Sequence, residues 1–231
     1  MLSDKIIELY KNRYEINNFY HISSYLIKHN PIFFETTESA PRLNDSNIEC
    51  VSGDIRVDLP ICFGNPNSKF KIVVMGLEPR NSNSKYNLER NNNYIYGTPF
   101  GIELWNFKNK YYKSFKLLFH RKDVFVYFTD VVKEYEIKTT KNEADKNARK
   151  TFWNKANSIE NIDFLKSEIT LIEPTHIIAL GIQSYRFLEK HFGNNVIAVT
   201  HPNARQSKLT KENAWDVIDR KLHSLFVENN I

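Results

Sequence analysis

The sequence predicts a three-layer α/β/α fold around a central four-stranded parallel sheet, with an N-terminal helical extension. Two patterns and their order predict it. Short apolar runs recur as KIVVM (71–75), VFVYFT (124–129), HIIAL (176–180) and VIAVT (196–200). Continuous apolar runs without polar alternation mark strands buried on both faces, as a parallel sheet requires. Helical periodicity fills the stretches at 101–119, 160–172, 183–191 and 211–228. Alternation of the two patterns implies helices covering both faces of one sheet.

Two units are expected, 1–60 and 61–231. The first opens with an amphipathic helix over 2–28, where Leu2, Ile6, Leu9, Tyr10, Ile16 and Leu26 recur at roughly helical spacing and Asn17–Asn18 weaken the middle. It stops before Pro31, because the residue preceding a proline disfavours the helical conformation. Residues 35–58 contain Pro41, Asn44–Asp45 and Ser52–Gly53, which suggests an irregular connection with one short hairpin, packed with the helix on the main domain. The main domain then carries the four strands and their helices.

Composition narrows the function classes. Hydrophobic residues make up 41% and aromatics 13% of the 231 residues, enough for a buried core and against global disorder. Lys and Arg total 32 against 27 acids, a net +5 that permits a polyanionic partner without demanding one. No apolar stretch approaches the ~18 residues of a membrane span, and the opening MLSDKIIELY is too charged for a signal peptide. A soluble, cytoplasmic protein with no membrane partner is expected. Cys50 and Cys62 are too few for a disulfide scaffold or a four-thiolate metal site. No Walker loop, GxGxxG, HExxH, GxSxG or CxxC occurs.

Ligands of open α/β sheets bind beyond the carboxyl ends of the strands. Here those ends are Gly76-Leu-Glu78-Pro79-Arg80, Asp130-Val-Val-Lys133, Gly181-Ile-Gln-Ser184 and His201-Pro-Asn203-Ala-Arg205. Glu78 and His201 would share one crevice, where a carboxylate and an imidazole could orient water, stabilise a developing cation or hydrogen-bond a departing anion. The plainer alternative is a turn cap and a partner for the backbone near Pro202. Asp130 serves either a pocket or, more simply, an Asx-turn or helix N-cap. Arg80 and Arg205 suit phosphate, or plain solvation. Aromatics interleaved with Lys108, Lys110, Lys113 and Lys116 look like a stacking surface for nucleic acid, yet Phe107, Tyr111, Phe115 and Leu118 fit one helical face and read as core. Tyr94, Tyr96 and Phe100 stand apart, in the Asn-rich loop before that helix. KTTKNEADKNARK (138–150) is a solvated loop or helix.

Five segments in order resemble the uracil-DNA glycosylase superfamily, in the branch with a glycine-acid-proline first motif and a histidine-proline last motif. IVVMGLEPRNS (72–82) looks like the first motif and YGTPFGIELW (96–105) like the loop that opens a helix. VFVYFTDVVK (124–133) is similar to the strand ending in a base-reading amide. FLKSEITLIEPTHIIALGIQSYRFL (164–188) resembles the helix-strand-glycine-helix unit, and VIAVTHPNAR (196–205) the closing motif. About 165 residues, roughly 62–228, are covered.

The resemblance implies a monomeric, cofactor-free DNA glycosylase of DNA repair, acting on a flipped base of single- or double-stranded DNA. Glu78 would position water and stabilise the oxocarbenium-like sugar, while His201 hydrogen-bonds the carbonyl of the leaving base. Phe100 would stack on that base, with Asp130, Gly76, Pro79 and Arg80 around it. Asn203, Arg205 and Lys133 would contact the DNA. No metal is implied: the iron–sulfur branch needs four cysteines, and two cannot hold its cluster. That branch also carries its acid one place earlier, where this chain has Leu77, and Arg80 replaces a pocket-lining Tyr or Gly. Asp130 stands where uracil-specific members carry Asn. An amide both donates to and accepts from uracil, whereas a carboxylate only accepts and repels O4, so uracil is not the expected base. The alternatives are a non-catalytic nucleic-acid-binding protein on the same fold and an unrelated doubly wound enzyme acting on a free nucleotide.

Overall fold

The structure, a computed structural model, describes residues 2–14, 33–34, 55–78, 94–96, 110–119, 121, 123–136, 146–204 and 212–229. In chain order its elements are α1 (Leu2–Tyr14), β1 (Phe33–Phe34), β2 (Ile55–Leu59), β3 (Ile61–Phe63), β4 (Phe70–Gly76), β5 (Tyr94–Tyr96), α2 (Lys110–Phe119) and β6 (Val124–Asp130). They continue with β7 (Glu134–Glu136), α3 (Lys146–Ala156), α4 (Ile159–Ile172), β8 (His176–Leu180), α5 (Ile182–Phe192), β9 (Val196–Val199) and α6 (Ala214–Glu228).

The four predicted strands are β4, β6, β8 and β9, and they form the expected all-parallel sheet in the spatial order β6-β4-β8-β9. Their apolar runs are continuous because both faces are covered. Ile72, Val73, Val74 and Met75 of β4 are wholly buried, as are Phe125 through Phe128 of β6. Each such side chain contributes about 1.5–3 kcal/mol by leaving water. Crossovers between parallel strands are right-handed as a rule, which with this strand order assigns α2 to one face and α4 and α5 to the other. α2 packs on α6, while α1 and α3 pack on α4. Because β4 precedes both of its neighbours in sequence, the chain departs to opposite sides there. The crevice of a doubly wound sheet opens at such a switch point, here at the carboxyl ends of β4 and β8.

The sheet is wider than expected. β3 pairs antiparallel with β6, and β1 adds to β3, giving six strands in all among the described residues. Residues 55–58 belong to β2 rather than to an irregular connection. β2 pairs with β5 and β7 in a separate small sheet and forms no hairpin with β3. Buried Pro60 stands between β2 and β3, where its missing N–H breaks the ladder and lets the chain change sheets. The run at 138–150 is helical from Lys146 onward, as the start of α3. The predicted helices at 160–172, 183–191 and 211–228 appear as α4, α5 and α6, shifted at their ends by a few residues. Parts of the helices predicted at 2–28 and 101–119 lie outside the described residues, beyond Tyr14 and before Lys110.

α4 shows how local chemistry sets a boundary. Ser158 caps its N-terminus by accepting the Asn161 amide, and Glu173 ends it in the left-handed region just before Pro174. No helix among the described residues is long and apolar enough to cross a membrane.

Candidate active site

The four strand ends meet along one edge of the sheet, and two sets of contacts lock them there. β4 and β6 remain in register to their last residues, with Gly76 opposite Asp130. The ladder then continues past both strands: the Val131 amide donates to Gly76 O at 3.0 Å and the Val132 amide to Leu77 O at 3.1 Å. Asp130 is therefore a buried strand residue, only 2% exposed. The chain runs from it through Val131–Val132 into β7, so the helix N-cap alternative has no helix to cap. Glu78 lies two residues beyond β4, half-buried on the same edge.

On the other side of the switch point, the Gly181 amide donates to Val199 O at 2.8 Å, joining the ends of β8 and β9. A Cβ built on Gly181 would sit 3.7 Å from Cβ of His201, so the turn after β8 lies against that histidine. His201 is half-buried just after β9, followed by buried Pro202 and exposed Asn203.

The His201 ring is held on both nitrogens. The Asn203 backbone N–H donates to Nδ1 at 3.2 Å. A backbone amide can only donate, so Nδ1 accepts and the proton of the neutral ring resides on Nε2. Nε2 faces the hydroxyl of Tyr111, 3.2 Å away, and that hydroxyl also accepts from Asn203 Nδ2 at 3.4 Å. The two rings meet edge to face with centroids 5.8 Å apart. The Ala204 amide closes the turn on His201 O at 2.8 Å. The result is a ring held in one orientation, whose Nε2–H rests on the Tyr111 hydroxyl and is suited to pass to an oxygen that gains negative charge.

Of the residues expected at the site, Gly76, Glu78, Asp130, His201 and Asn203 gather at this edge. Asn203, expected on DNA, contributes both its backbone and its amide to the setting of His201. Phe100, Pro79, Arg80 and Arg205 lie outside the described residues. Lys133, expected on DNA, is buried instead. It is 1% exposed, and its ammonium donates to Glu168 Oε2 at 2.8 Å, to Asp130 O at 2.5 Å and to Thr129 Oγ1. All three donors are spent inside the protein, so Lys133 cannot contact DNA.

Tyr111 is the residue that sequence reasoning missed. Helical spacing identified it as buried, which it is, but spacing is silent on where a buried hydroxyl finds its partner 90 positions away. Among the described residues no group of three or more His, Cys, Asp or Glu side chains is placed to hold a metal ion. Cys62 is buried as a free thiol, and burial, then the nearby Glu168 charge, pushes its pKa up, which keeps it unreactive.

No curated protein matches the chain significantly. Residues 63–220 match the uracil DNA glycosylase superfamily, a span that runs from the last residue of β3 into α6 and includes all four parallel strands with their carboxyl ends. By that match over well more than half of its length, the chain belongs to the uracil DNA glycosylase superfamily.

Proposed function

We propose that the protein is a DNA glycosylase that hydrolyses the N-glycosidic bond of an extruded base, and that uracil is not its preferred substrate. The observation that carries this reading is the Asn203 backbone N–H on His201 Nδ1, which leaves Nε2 as the donor of the neutral ring, on the same sheet edge as the buried Asp130. As the bond from C1′ to the base breaks, its electron pair leaves with the base. The base carbonyl oxygen gains charge and takes over the His201 Nε2–H from the Tyr111 hydroxyl, an effect worth about 3 kcal/mol for one preorganised donor. Glu78 orients the water that attacks C1′ and accepts its proton, and its carboxylate favours the cationic sugar. The chain works as a monomer, with neither metal nor organic cofactor, in DNA repair.

Asp130 sets the base. Ionised, it accepts hydrogen bonds from an edge that offers donors, such as the N1–H of a guanine-like or hypoxanthine-like base; protonated, it would donate to cytosine N3. The ionised state is mismatched to uracil O4, and a mismatch at a buried polar site can shift selectivity by ~10⁴-fold.

The test is base release from oligonucleotides carrying uracil, hypoxanthine, xanthine or a modified cytosine. Release of one of the non-uracil bases is expected, lost by about 10²-fold or more in His201→Ala and Glu78→Ala with strand affinity retained. Efficient uracil release by the unaltered protein would overturn the Asp130 reading. Salt-dependent strand binding without release of any base would identify a non-catalytic binder instead.

A further inference from the structure

One cluster of buried polar groups is unused by the chemistry above. Glu168 of α4 is fully buried, as is its partner Lys133. Its Oε1 accepts from the Tyr10 hydroxyl at 2.7 Å, the Tyr127 hydroxyl at 2.5 Å and Thr129 Oγ1 at 3.3 Å, while Oε2 takes the Lys133 ammonium. Burial, followed by the Glu168 charge, raises the pKa of both phenols, so each remains a donor. Every donor of Lys133 is spent, and the carboxylate carries a full set of partners. A network so enclosed holds its members in one arrangement, because any shift would strand a charge without water.

Two features give the network a direction. At one end, Lys133 grips the carbonyl of Asp130 and the hydroxyl of Thr129, the last two residues of β6. That grip fixes the peptide after Asp130, whose neighbouring amide, Val131, is bonded to Gly76. At the other end stands Tyr10 of α1, which precedes the residues matched to the family. Its ring packs edge-on against Phe164 at 5.1 Å, one turn before Glu168 on α4.

We propose that Tyr10, Glu168 and Lys133 are positioning residues for the Asp130 end of the site, which makes the N-terminal helix a working part of base recognition. The inference rests on the glycosylase reading for its consequence in catalysis but not for its structural content. Loss of the Tyr10 hydroxyl lets the Glu168 carboxylate shift. The ammonium of Lys133 follows it, and with that ammonium moves the Asp130 carbonyl.

Tyr10→Phe tests this, since it keeps the ring on Phe164 and removes only the hydroxyl. Amide hydrogen exchange at Val131 and Val132 reads the strand end without any need for activity. Exchange there is expected to quicken about tenfold, while the Gly181 amide, bonded to Val199, keeps its rate. In base release, kcat for the preferred base should fall about tenfold with KM for the strand unchanged and the preference over other bases narrowed. Glu168→Gln should act in the same direction and more strongly; if it fails to fold, Tyr10→Phe decides. Equal acceleration at all three amides, or none, overturns the proposal, as does altered exchange with unaltered kcat. A parent protein that releases no base sinks the glycosylase reading, and the exchange comparison still decides the clamp.

Discussion

A histidine acts as a neutral donor only if something selects its tautomer, and at His201 the selector is the backbone of Asn203. Tyr111 completes the setting from α2 by fixing the direction in which Nε2 points. Tyr111→Phe retains the edge-to-face ring contact and removes the oxygen, so kcat for base release should drop about five- to tenfold with strand affinity intact. Asn203→Ala removes the amide that bonds the same hydroxyl; combined with Tyr111→Phe it should cost less than the sum of the two. Additive losses in single-turnover assays would show that the two side chains act separately. At this scale the sequence revealed candidates but not partners. Asp130, Glu78 and His201 were legible because each follows an apolar run that ends at the edge of a parallel sheet. Lys133 misled, since a lysine after a strand ordinarily reaches solvent. Its partner did leave a signal: Glu168 occupies the buried register of α4 with Phe164, Leu165 and Ile172, and a carboxylate there requires a cation.

Elements were legible in proportion to their length and burial. β4, β6 and β8 announced themselves because helices cover both faces and no polar alternation interrupts them. β1, β3, β5 and β7 span two or three residues each, too short for any period, and β7 reads Glu-Tyr-Glu. They exist because the β6 side of the sheet and the β2 strand offer unpaired backbone groups to complete. The turn from β3 toward β4 depends on Gly64, whose φ is +83° and whose missing Cβ would lie 2.2 Å from Val124 O, at the start of β6. Neither a β-carbon nor a left-handed side-chain residue fits there, and the clashing atom is backbone in the central sheet. Gly64→Ala should therefore cost about 3 kcal/mol or more, read as the shift in urea midpoint. Gly193→Ala is the control: φ is +76° and ψ −147° with nothing within 4 Å of the added carbon, so conformational strain alone, about 1–3 kcal/mol, is expected, without the further cost of a backbone clash. Equal costs at the two positions would mean that the approach to Val124 does not matter.

For the molecule as a whole, strand direction separates chemistry from stability. β8 begins at His176 and ends against Gly181, so this histidine lies at the sheet edge opposite the candidate site. It packs on Phe70 with ring centroids 5.4 Å apart, and His191 of α5 packs on Phe187 at 4.7 Å. Burial lowers the pKa of both rings; Glu228 partly opposes this at His176, whereas Lys190 and Lys166 add to it at His191. The native protein thus resists protonation that the unfolded chain accepts once pH falls below its ordinary histidine value of about 6.5. In that window the unfolded state binds more protons, so stability rises with pH, is complete above about 6.5 and is lost as the solution is acidified. Melting temperature should accordingly fall between pH 7.5 and pH 5.5, and the fall should shrink in the His176→Asn/His191→Asn protein, whatever its absolute stability. An undiminished slope in that double variant would assign the acid sensitivity to other groups. Since neither ring is at the edge that carries His201, the same variant should leave the pH profile of base release where it was.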